Sequence, residues 1–143
     1  MHVLICDDDA AFGARMADYI HDYFEARSVQ LQTVVCTGAA EALRTPYLEL
    51  YQLAFLDVDM PGTNGIALGR ELKQRSPDIR LVYVSAYLEF APEGYTVNAY
   101  RYLLKRDIAR MLPKCLDDLL AAFTDQHRTL TVHHNRATSE IPL

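Results

Sequence analysis

The sequence has no long apolar run and no leader-like segment at its N-terminus. Its hydrophobic stretches stay well short of the roughly 20 residues that a membrane-spanning helix requires. An apolar strand pattern also starts almost at once, without a basic region and a cleavage site before it. We therefore expect a cytoplasmic protein with no membrane partner.

Cysteine is scarce. The three cysteines, Cys6, Cys36 and Cys115, are odd in number, lie among apolar residues and have no C-x-x-C spacing. Disulfide frameworks and zinc sites depend on paired or closely spaced cysteines. We expect reduced thiols packed in the core rather than a disulfide or a metal site.

A basic surface run is also missing. The formal net charge is -5, and acidic residues concentrate at positions 7–9, 57–59 and 117–118. A protein that grips a DNA duplex needs lysine and arginine side chains to neutralise phosphates. This part of the chain is therefore not expected to bind DNA by itself.

The residues that are present indicate one globular domain of the α/β class. The chain has 143 residues, of which 50% are hydrophobic and 23% charged, as is typical of soluble domains. Strand-like runs alternate with helical patterns, which predicts a doubly wound, five-stranded parallel sheet with right-handed crossovers. The predicted strands cover residues 3–6, 29–36, 53–57, 79–84 and 100–104.

Helical patterns fill the segments between these strands. The first follows residues 7–9, where Asp9 is expected to cap the helix start. The last has one apolar stripe, with Pro113 suited to its first turn. The predicted helices run from Phe12 to Phe24 and over residues 39–44, 66–75, 88–95 (a weak helix containing Pro92 and Gly94) and 112–123.

The pattern changes beyond residue 125. Leu130 and Val132 alternate with threonines, and residues 141–143 read Ile-Pro-Leu. Such alternation predicts a strand. We interpret residues 1–125 as one domain and residues 126–143 as a linker with the opening of a second domain; a partly ordered tail is the alternative.

Polar residues follow four of the five predicted strands. Asp7 and Asp8 follow the first strand, Asp57 ends the third, and Ser85 and Lys105 follow the fourth and the fifth. Because parallel strands bring their carboxyl ends to one edge of the sheet, we expect these side chains to form one site.

The chemistry of this set points to phosphoryl transfer. Clustered carboxylates repel one another unless a cation joins them, and Mg²⁺ is a cation that prefers oxygen ligands. A carboxylate beside Mg²⁺ can attack phosphorus to form an acyl phosphate, while an ammonium and a hydroxyl stabilise the phosphoryl oxygens. Asp57, Lys105 and Ser85 match these parts.

Four short motifs carry a family resemblance. They are ICDDD at residues 5–9, LDVDMPG at 56–62, VSA at 84–86 and YLLK at 102–105. With them, residues 1–125 resemble the receiver domain of two-component response regulators. The resemblance implies a flavodoxin-like fold with strand order 2-1-3-4-5.

The resemblance also implies a role for each acidic residue. Asp57 would be the phosphoacceptor, phosphorylated by a sensor histidine kinase. Asp8 would bind Mg²⁺ directly and Asp7 mainly through water, and the backbone carbonyl of Asp59 would be a further ligand.

Three other residues receive roles in the same way. Ser85 and Lys105 would contact the phosphoryl group. Tyr102 would be the switch aromatic that turns inward when Ser85 moves toward phosphate. Phosphorylation would then favour a homodimer and control an output domain.

Within receivers, the chain resembles the LytTR class of transcriptional regulators. The segments SAYLEFA at residues 85–91 and NAYRYLLK at 98–105 carry this likeness, and residues 130–143 resemble the first strands of a LytTR DNA-binding domain. By this resemblance, DNA would be bound only through a C-terminal domain that is mostly absent here.

One position departs from the family. Receivers usually have proline after the lysine, often with a cis peptide bond, whereas Lys105 is followed by Arg106. A cis bond before a non-proline residue costs about 2.5 to 4 kcal/mol. We expect a trans bond, a loop that turns differently and a helix that Pro113 starts late.

Two other function classes stay open. In Mg²⁺-dependent phosphohydrolases an aspartate nucleophile is commonly followed two residues later by an acid/base aspartate, and Asp57 and Asp59 have that spacing. The chain lacks a substrate-capping insertion, and Asp7 with Asp8 suits a receiver better, so we expect a signalling domain rather than an enzyme. An unphosphorylated interaction module is the third class.

Overall fold

The computed structural model of the chain describes residues 1–87 and 98–137. Within these residues the strands are β1 (His2–Cys6), β2 (Gln32–Cys36), β3 (Leu53–Asp57), β4 (Asp59–Met60), β5 (Thr63–Asn64), β6 (Arg80–Ser85) and β7 (Arg101–Leu104). The α-helices are α1 (Ala10–Glu25), α2 (Ala39–Leu43), α3 (Gly65–Arg75) and α4 (Ile108–Ala137). Short 3-10 turns cover Leu48–Leu50 and Lys105–Asp107.

Five strands form one parallel sheet in the order β2-β1-β3-β6-β7. Strands β4 and β5 form a separate two-stranded ribbon. Counted within the large sheet alone, the order is therefore 2-1-3-4-5, and the predicted doubly wound fold is confirmed. Each parallel crossover carries the chain back to the same end of the sheet, so the strands finish at one edge.

The central strand β3 is buried along its whole length, as expected for a parallel strand that is covered on both faces. On one face, residues of α2 and α3 pack with alternate strand residues, among them Leu4, Leu56 and Leu81. Helix α1 contacts β1 and β2. This core fixes the carboxyl end of β3, where Asp57 lies.

A tight hairpin follows β3. Strands β4 and β5 pair antiparallel, and Pro61 and Gly62 lie between them. Gly62 has a φ of 75°, and proline followed by a glycine of positive φ is the combination that a type II turn requires. The side chain of Asn64 then accepts a hydrogen bond from the Ile66 amide at 2.6 Å and caps α3.

Helix α3 starts in close contact with the end of β3. The Gly65 amide donates to the Val58 carbonyl at 2.8 Å. A β-carbon on Gly65 would lie 1.9 Å from the carbonyl oxygen of Asp57. Only glycine allows this approach, so Gly65 holds α3 against the backbone of Asp57.

Strand β2 is shorter than predicted. It begins at Gln32 rather than at residue 29, because the chain between α1 and β2 is used to close the helix. Ser28 adopts a left-handed φ of 63°, and the Val29 amide donates to the Phe24 carbonyl. The apolar pattern of residues 29–31 therefore belongs to a helix end and a connection.

Two predictions about the last helix are wrong. Helix α4 begins at Ile108, directly after the 3-10 turn, and Pro113 lies inside it rather than in its first turn. Proline has a helical φ but inside a helix removes one backbone hydrogen bond and crowds the carbonyl four residues earlier, and the helix nevertheless continues through Pro113. The helix also includes residues 129–132, where alternation predicts a strand. A helix satisfies its backbone groups internally, whereas a strand needs a partner strand.

The chain divides into two compact units. The first is Met1–Ile108, and the second starts at Ala109. The assignment of residues 126–143 to a linker and the opening of a DNA-binding domain stays a prediction, with residues 138–143 outside the described part. The weak helix predicted over residues 88–95 also lies outside the described residues.

The cysteine prediction is confirmed. Cys6, Cys36 and Cys115 are all buried thiols that form no disulfide bond. Burial raises the pKa of Cys6 to about 12, with a smaller contribution from the neighbouring Cys36. Burial also raises the pKa of Cys36. The thiols of Cys6 and Cys36 therefore stay protonated and act as packed apolar groups.

Among the described residues, no helix has the length and the apolar character that a membrane-spanning segment needs.

We predict that Gly65→Ala destabilises the domain by about 2 kcal/mol or more, because the added methyl group would force α3 away from β3. Urea unfolding followed by circular dichroism measures the change. Gly38→Ala is the matched control, since a β-carbon there meets nothing within 4 Å. The free energy of unfolding should fall by less than about 1 kcal/mol in Gly38→Ala. Equal losses at the two positions would contradict the close approach at Gly65.

A second prediction concerns Tyr83, whose hydroxyl is buried and has no hydrogen-bond partner among the described residues. Tyr83→Phe should raise the free energy of unfolding by about 1 kcal/mol, because an unsatisfied buried hydroxyl is removed. Tyr102→Phe is the control, since its hydroxyl donates to the Tyr87 carbonyl; it should lower stability or leave it unchanged. A loss of stability in Tyr83→Phe would show that the Tyr83 hydroxyl has a hydrogen-bond partner and would contradict this prediction.

Candidate functional site

The predicted acidic residues meet at the carboxyl edge of the sheet. Strands β1 and β3 are neighbours, and Cys6 pairs with Leu56, so Asp7 and Asp57 follow side by side. Asp7, Asp8 and Asp57 each offer a carboxylate oxygen, and these oxygens all lie within 4.8 Å of one another. Asp7 and Asp57 are buried, and Asp8 is exposed. The three carboxylates therefore form one cluster, as the sequence predicts.

Asp7 is held by hydrogen bonds on both of its carboxylate oxygens. One oxygen accepts from the Asp9 amide at 2.9 Å. The other lies 2.9 Å from the ammonium nitrogen of Lys105. Asp7 is only 3% exposed, and these two contacts replace the water that its carboxylate oxygens lose on burial.

Lys105 reaches the cluster from the end of β7, at the far side of β6. Its Nζ atom lies 3.7 Å from a carboxylate oxygen of Asp57, in addition to its contact with Asp7. Burial lowers the pKa of Lys105, but the hydrogen bond to Asp7 and the charge of Asp57 outweigh it, and the net pKa is raised. Lys105 is therefore a fixed positive charge beside both buried carboxylates.

Asp57 has a strongly perturbed carboxyl group. Burial raises its pKa from 3.8 to about 7, and the charge of Asp7 and a hydrogen bond to Asp8 act in the same direction. The charge of Lys105 opposes them without cancelling them. The carboxyl group of Asp57 therefore has a pKa near 7 at the end of the strand, and added positive charge would favour its ionised form.

Ser85 and Tyr102 are joined by one short hydrogen-bonded connection. Ser85 is fully buried, and its Oγ accepts from the Tyr87 amide at 3.0 Å. The hydroxyl of the half-buried Tyr102 donates to the Tyr87 carbonyl. Ser85 pairs in register with Leu104, directly before Lys105. The described hydrogen bond of Ser85 is therefore to the backbone rather than to the carboxylates.

Asp9, Asp59 and Arg106 are the other residues that the sequence singles out. Asp9 is the N-cap of α1, as predicted, and accepts from the Phe12 amide at 3.1 Å. Asp59 lies in β4 with an exposed side chain. The peptide bonds of the described residues are trans, and Lys105 with Arg106 opens a 3-10 turn. The loop after Lys105 therefore does turn without a cis bond.

Sequence reasoning missed Phe12 as a site residue. It treated Phe12 only as one apolar position of α1, whereas the ring centroid lies 4.5 Å from Nζ of Lys105. The available signal was its place in the first helical turn after the acidic residues 7–9. The distance between Phe12 and Lys105 depends on where the fold places the start of α1 relative to the end of β7, and no local sequence pattern encodes this placement.

A comparison with known protein families decides what kind of domain this is. The profile of the response regulator receiver domain matches residues 3–116. The chain belongs to this family. It is therefore a receiver, a phosphorylation-switched signalling domain, and the phosphohydrolase alternative is not favoured.

The relatives include response regulatory and sensory transduction proteins. An uncharacterised response regulatory protein of Shewanella oneidensis is 33% identical over 125 residues, which are 86% of this chain and 50% of that protein. The sensory transduction protein LytT of Enterococcus faecalis is 29% identical over 105 residues, which are 73% of this chain and 42% of that protein. The chain spans about half the length of these curated relatives.

The receiver fold also appears among solved structures. The response regulator TrrA of Thermotoga maritima, solved in complex with Mg²⁺-BeF, superimposes with a TM-score of 0.61 at 20% identity, over 82% of this chain and 97% of that one. Receivers generally bind Mg²⁺. The cluster of Asp7, Asp8 and Asp57 fits such an ion, because it supplies oxygen ligands and a surplus of negative charge.

We predict a characteristic pH dependence from Asp57 in metal-free buffer. Its folded pKa is about 7 against an ordinary value of 3.8, so the folded state binds more protons between these values. Stability from this group therefore falls as pH rises from about 4 to 7, with a slope approaching about 1.4 kcal/mol per pH unit. Asp57→Asn should remove this component and become more stable than the wild type at the upper end.

The measurement is urea unfolding at several pH values with a chelator present. Asp18→Asn, at an exposed position of α1, is the matched control and should keep the wild-type slope. A constant stability difference between Asp57→Asn and the wild type across this range would contradict the raised pKa.

Proposed function

We propose that Asp57 is the phosphoacceptor and that a sensor histidine kinase supplies its phosphoryl group. The observation that carries the proposal is the cluster itself. Asp57 is 4% exposed, shares its site with Asp7 and Asp8, and has the Lys105 ammonium 3.7 Å away. Among these carboxylates Asp57 combines a raised pKa with a position at the end of the central strand.

The reaction balances with the groups at this site. A carboxylate oxygen of Asp57 forms a bond to phosphorus, and the bond between phosphorus and the donor's imidazole nitrogen breaks. The electron pair stays with that nitrogen, and Asp57 becomes an acyl phosphate. Lys105 stabilises the negative charge on the phosphoryl oxygens through its ammonium group. Ser85 would donate its hydroxyl to one of those oxygens.

Four groups would hold Mg²⁺ in this proposal. Asp8 and Asp57 would bind it directly, and the backbone carbonyl of Asp59 would add a ligand. Asp7 would act mainly through water, which suits a carboxylate whose two oxygens already accept from Asp9 and Lys105. When bound, Mg²⁺ supplies the positive charge that keeps Asp57 ionised and neutralises the phosphoryl oxygens.

The switch would run from Ser85 to Tyr102. Tyr87 donates its amide to Ser85 and accepts from Tyr102 through its carbonyl. If the Ser85 hydroxyl turns toward a phosphoryl oxygen, the Tyr87 amide loses its acceptor and the peptide segment shifts. Tyr102 would then leave the Tyr87 carbonyl and turn inward, so that phosphorylation selects a second conformation.

The output would be transcriptional. The likeness to a LytT protein supports a regulator of the LytTR class. In this proposal phosphorylation favours a homodimer and changes how an attached C-terminal domain binds DNA. The receiver's own surplus of acidic residues, with a net charge of -5 for the chain, supports leaving DNA binding to that domain.

The proposal predicts a single phosphorylation that depends on both Mg²⁺ and Asp57. Incubation with a small phosphodonor such as acetyl phosphate should raise the intact mass by one phosphoryl group. Adding a chelator or replacing Asp57 by alanine should abolish this adduct, because the metal charge or the nucleophile is lost. Asp18→Asn should be phosphorylated like the wild type.

Three results would contradict the proposal. They are an unmodified wild type in the presence of Mg²⁺, an adduct that persists in Asp57→Ala, and repeated turnover of the donor without an acyl phosphate. The third result would favour a phosphohydrolase. Acid and base lability of the adduct distinguishes an acyl phosphate from a phosphoester.

A further inference from the structure

Phe12 lies where it can act on the central cation of the site. Its ring centroid is 4.5 Å from Nζ of Lys105, and the Lys105 side chain is 24% exposed. Ammonium groups within about 6 Å of an aromatic centroid are attracted to the negative face of the ring. Lys105 therefore has three neighbours of suitable chemistry: the carboxylates of Asp7 and Asp57, and the ring of Phe12.

The position of Phe12 is fixed by the start of α1. Asp9 caps the helix, and its carboxylate accepts from the Phe12 amide at 3.1 Å. The Asp9 amide in turn donates to Asp7 at 2.9 Å. At the next residue, a β-carbon on Gly13 would lie 3.1 Å from a methyl carbon of Val35. The helix thus starts close to β2, and the capped first turn connects Phe12 to the acidic cluster.

We infer that Phe12 is a positioning residue for phosphorylation, which acts by holding the Lys105 ammonium over the cluster through a cation–π contact. The inference rests on the proposed role of Asp57 and Lys105. An ammonium on a four-carbon chain has many rotamers, and the contacts of Lys105 with Asp7 and Asp57 restrict them only in part. The ring adds a third attractive contact at 4.5 Å, so that Lys105 stays within reach of the phosphoryl oxygens as charge develops on them.

A purely structural role for Phe12 makes a different prediction. If the ring only fills space in the first turn of α1, any apolar side chain of similar size should serve equally well. If the ring acts through its electrostatic face, the effect depends on the electron density of that face at constant size. The two roles therefore separate in a series of ring-fluorinated phenylalanines, in which each fluorine weakens the negative face.

The experiment replaces Phe12 by mono-, di- and trifluorophenylalanine and measures the rate constant of phosphorylation by acetyl phosphate with Mg²⁺. We expect the rate constant to fall stepwise with fluorine number, by about 3- to 10-fold for the trifluoro variant. Phe12→Leu should show the full loss, and Phe12→Trp should keep the wild-type rate or exceed it. Urea unfolding of each variant shows that the domain remains folded.

Tyr19 is the matched control position, because it lies two turns along the same helix and is 44% exposed. Trifluorophenylalanine at position 19 should leave the rate constant at the value of Tyr19→Phe. A second measurement is the ring-current shift of the Lys105 side-chain protons next to nitrogen. It should be present in the wild type and lost in Phe12→Leu.

The outcomes separate this inference from the proposed function. If the wild type is not phosphorylated at all, the proposed function fails. If the wild type is phosphorylated but the fluorinated series has a constant rate, or position 19 responds as strongly as position 12, the role of Phe12 is wrong. A stepwise decrease confined to position 12 supports it.

Discussion

Negative charge buried beside negative charge is the constraint on which the site depends. Asp7 and Asp57 are both buried, and they are adjacent because β1 and β3 are neighbours in register. Two buried carboxylates cannot both ionise cheaply without a cation. Lys105, directly after β7, offsets part of this repulsion. Its ammonium nitrogen lies 2.9 Å from the carboxylate of Asp7 and 3.7 Å from that of Asp57. The remaining negative charge makes this edge of the sheet attractive to a divalent cation with oxygen ligands.

The backbone around the cluster is arranged to keep these groups in place. Gly65 lets α3 approach the carbonyl of Asp57 without a clashing side chain. Asp9 caps α1 and donates its amide to Asp7, so the start of the helix is connected to one carboxylate of the cluster. The same capped turn presents Phe12 to Lys105. The helix caps and the strand register therefore set the positions of the clustered side chains, and a change in either would move those side chains.

In the proposed switch, the connection from Ser85 through Tyr87 to Tyr102 would carry a change at the acidic cluster to strand β7. Each link is a hydrogen bond involving the backbone of Tyr87. The buried hydroxyl of Tyr83, which pairs in register with Tyr102, has no partner among the described residues. Tyr83 therefore places an unsatisfied buried hydroxyl next to strand β7, on which Tyr102 lies.

The sequence by itself determined the strands, their polar ends and the family, because hydrophobic runs, turn residues and short motifs are local signals. Residues 53–57, the hairpin at Pro61 and Gly62, and the residues Asp7, Asp8, Asp57 and Lys105 were all predictable in this way. Local signals were misleading at residues 29–31, where the Val29 amide closes α1 by donating to Phe24. They were also misleading at Pro113 and at residues 129–132, which lie inside the long helix α4. Only the tertiary structure decided that Asp57 has a pKa of about 7, that Ser85 bonds to Tyr87, and that Phe12 faces Lys105. These features depend on burial and on distances between elements that are far apart in the chain, and no pattern of neighbouring residues encodes them.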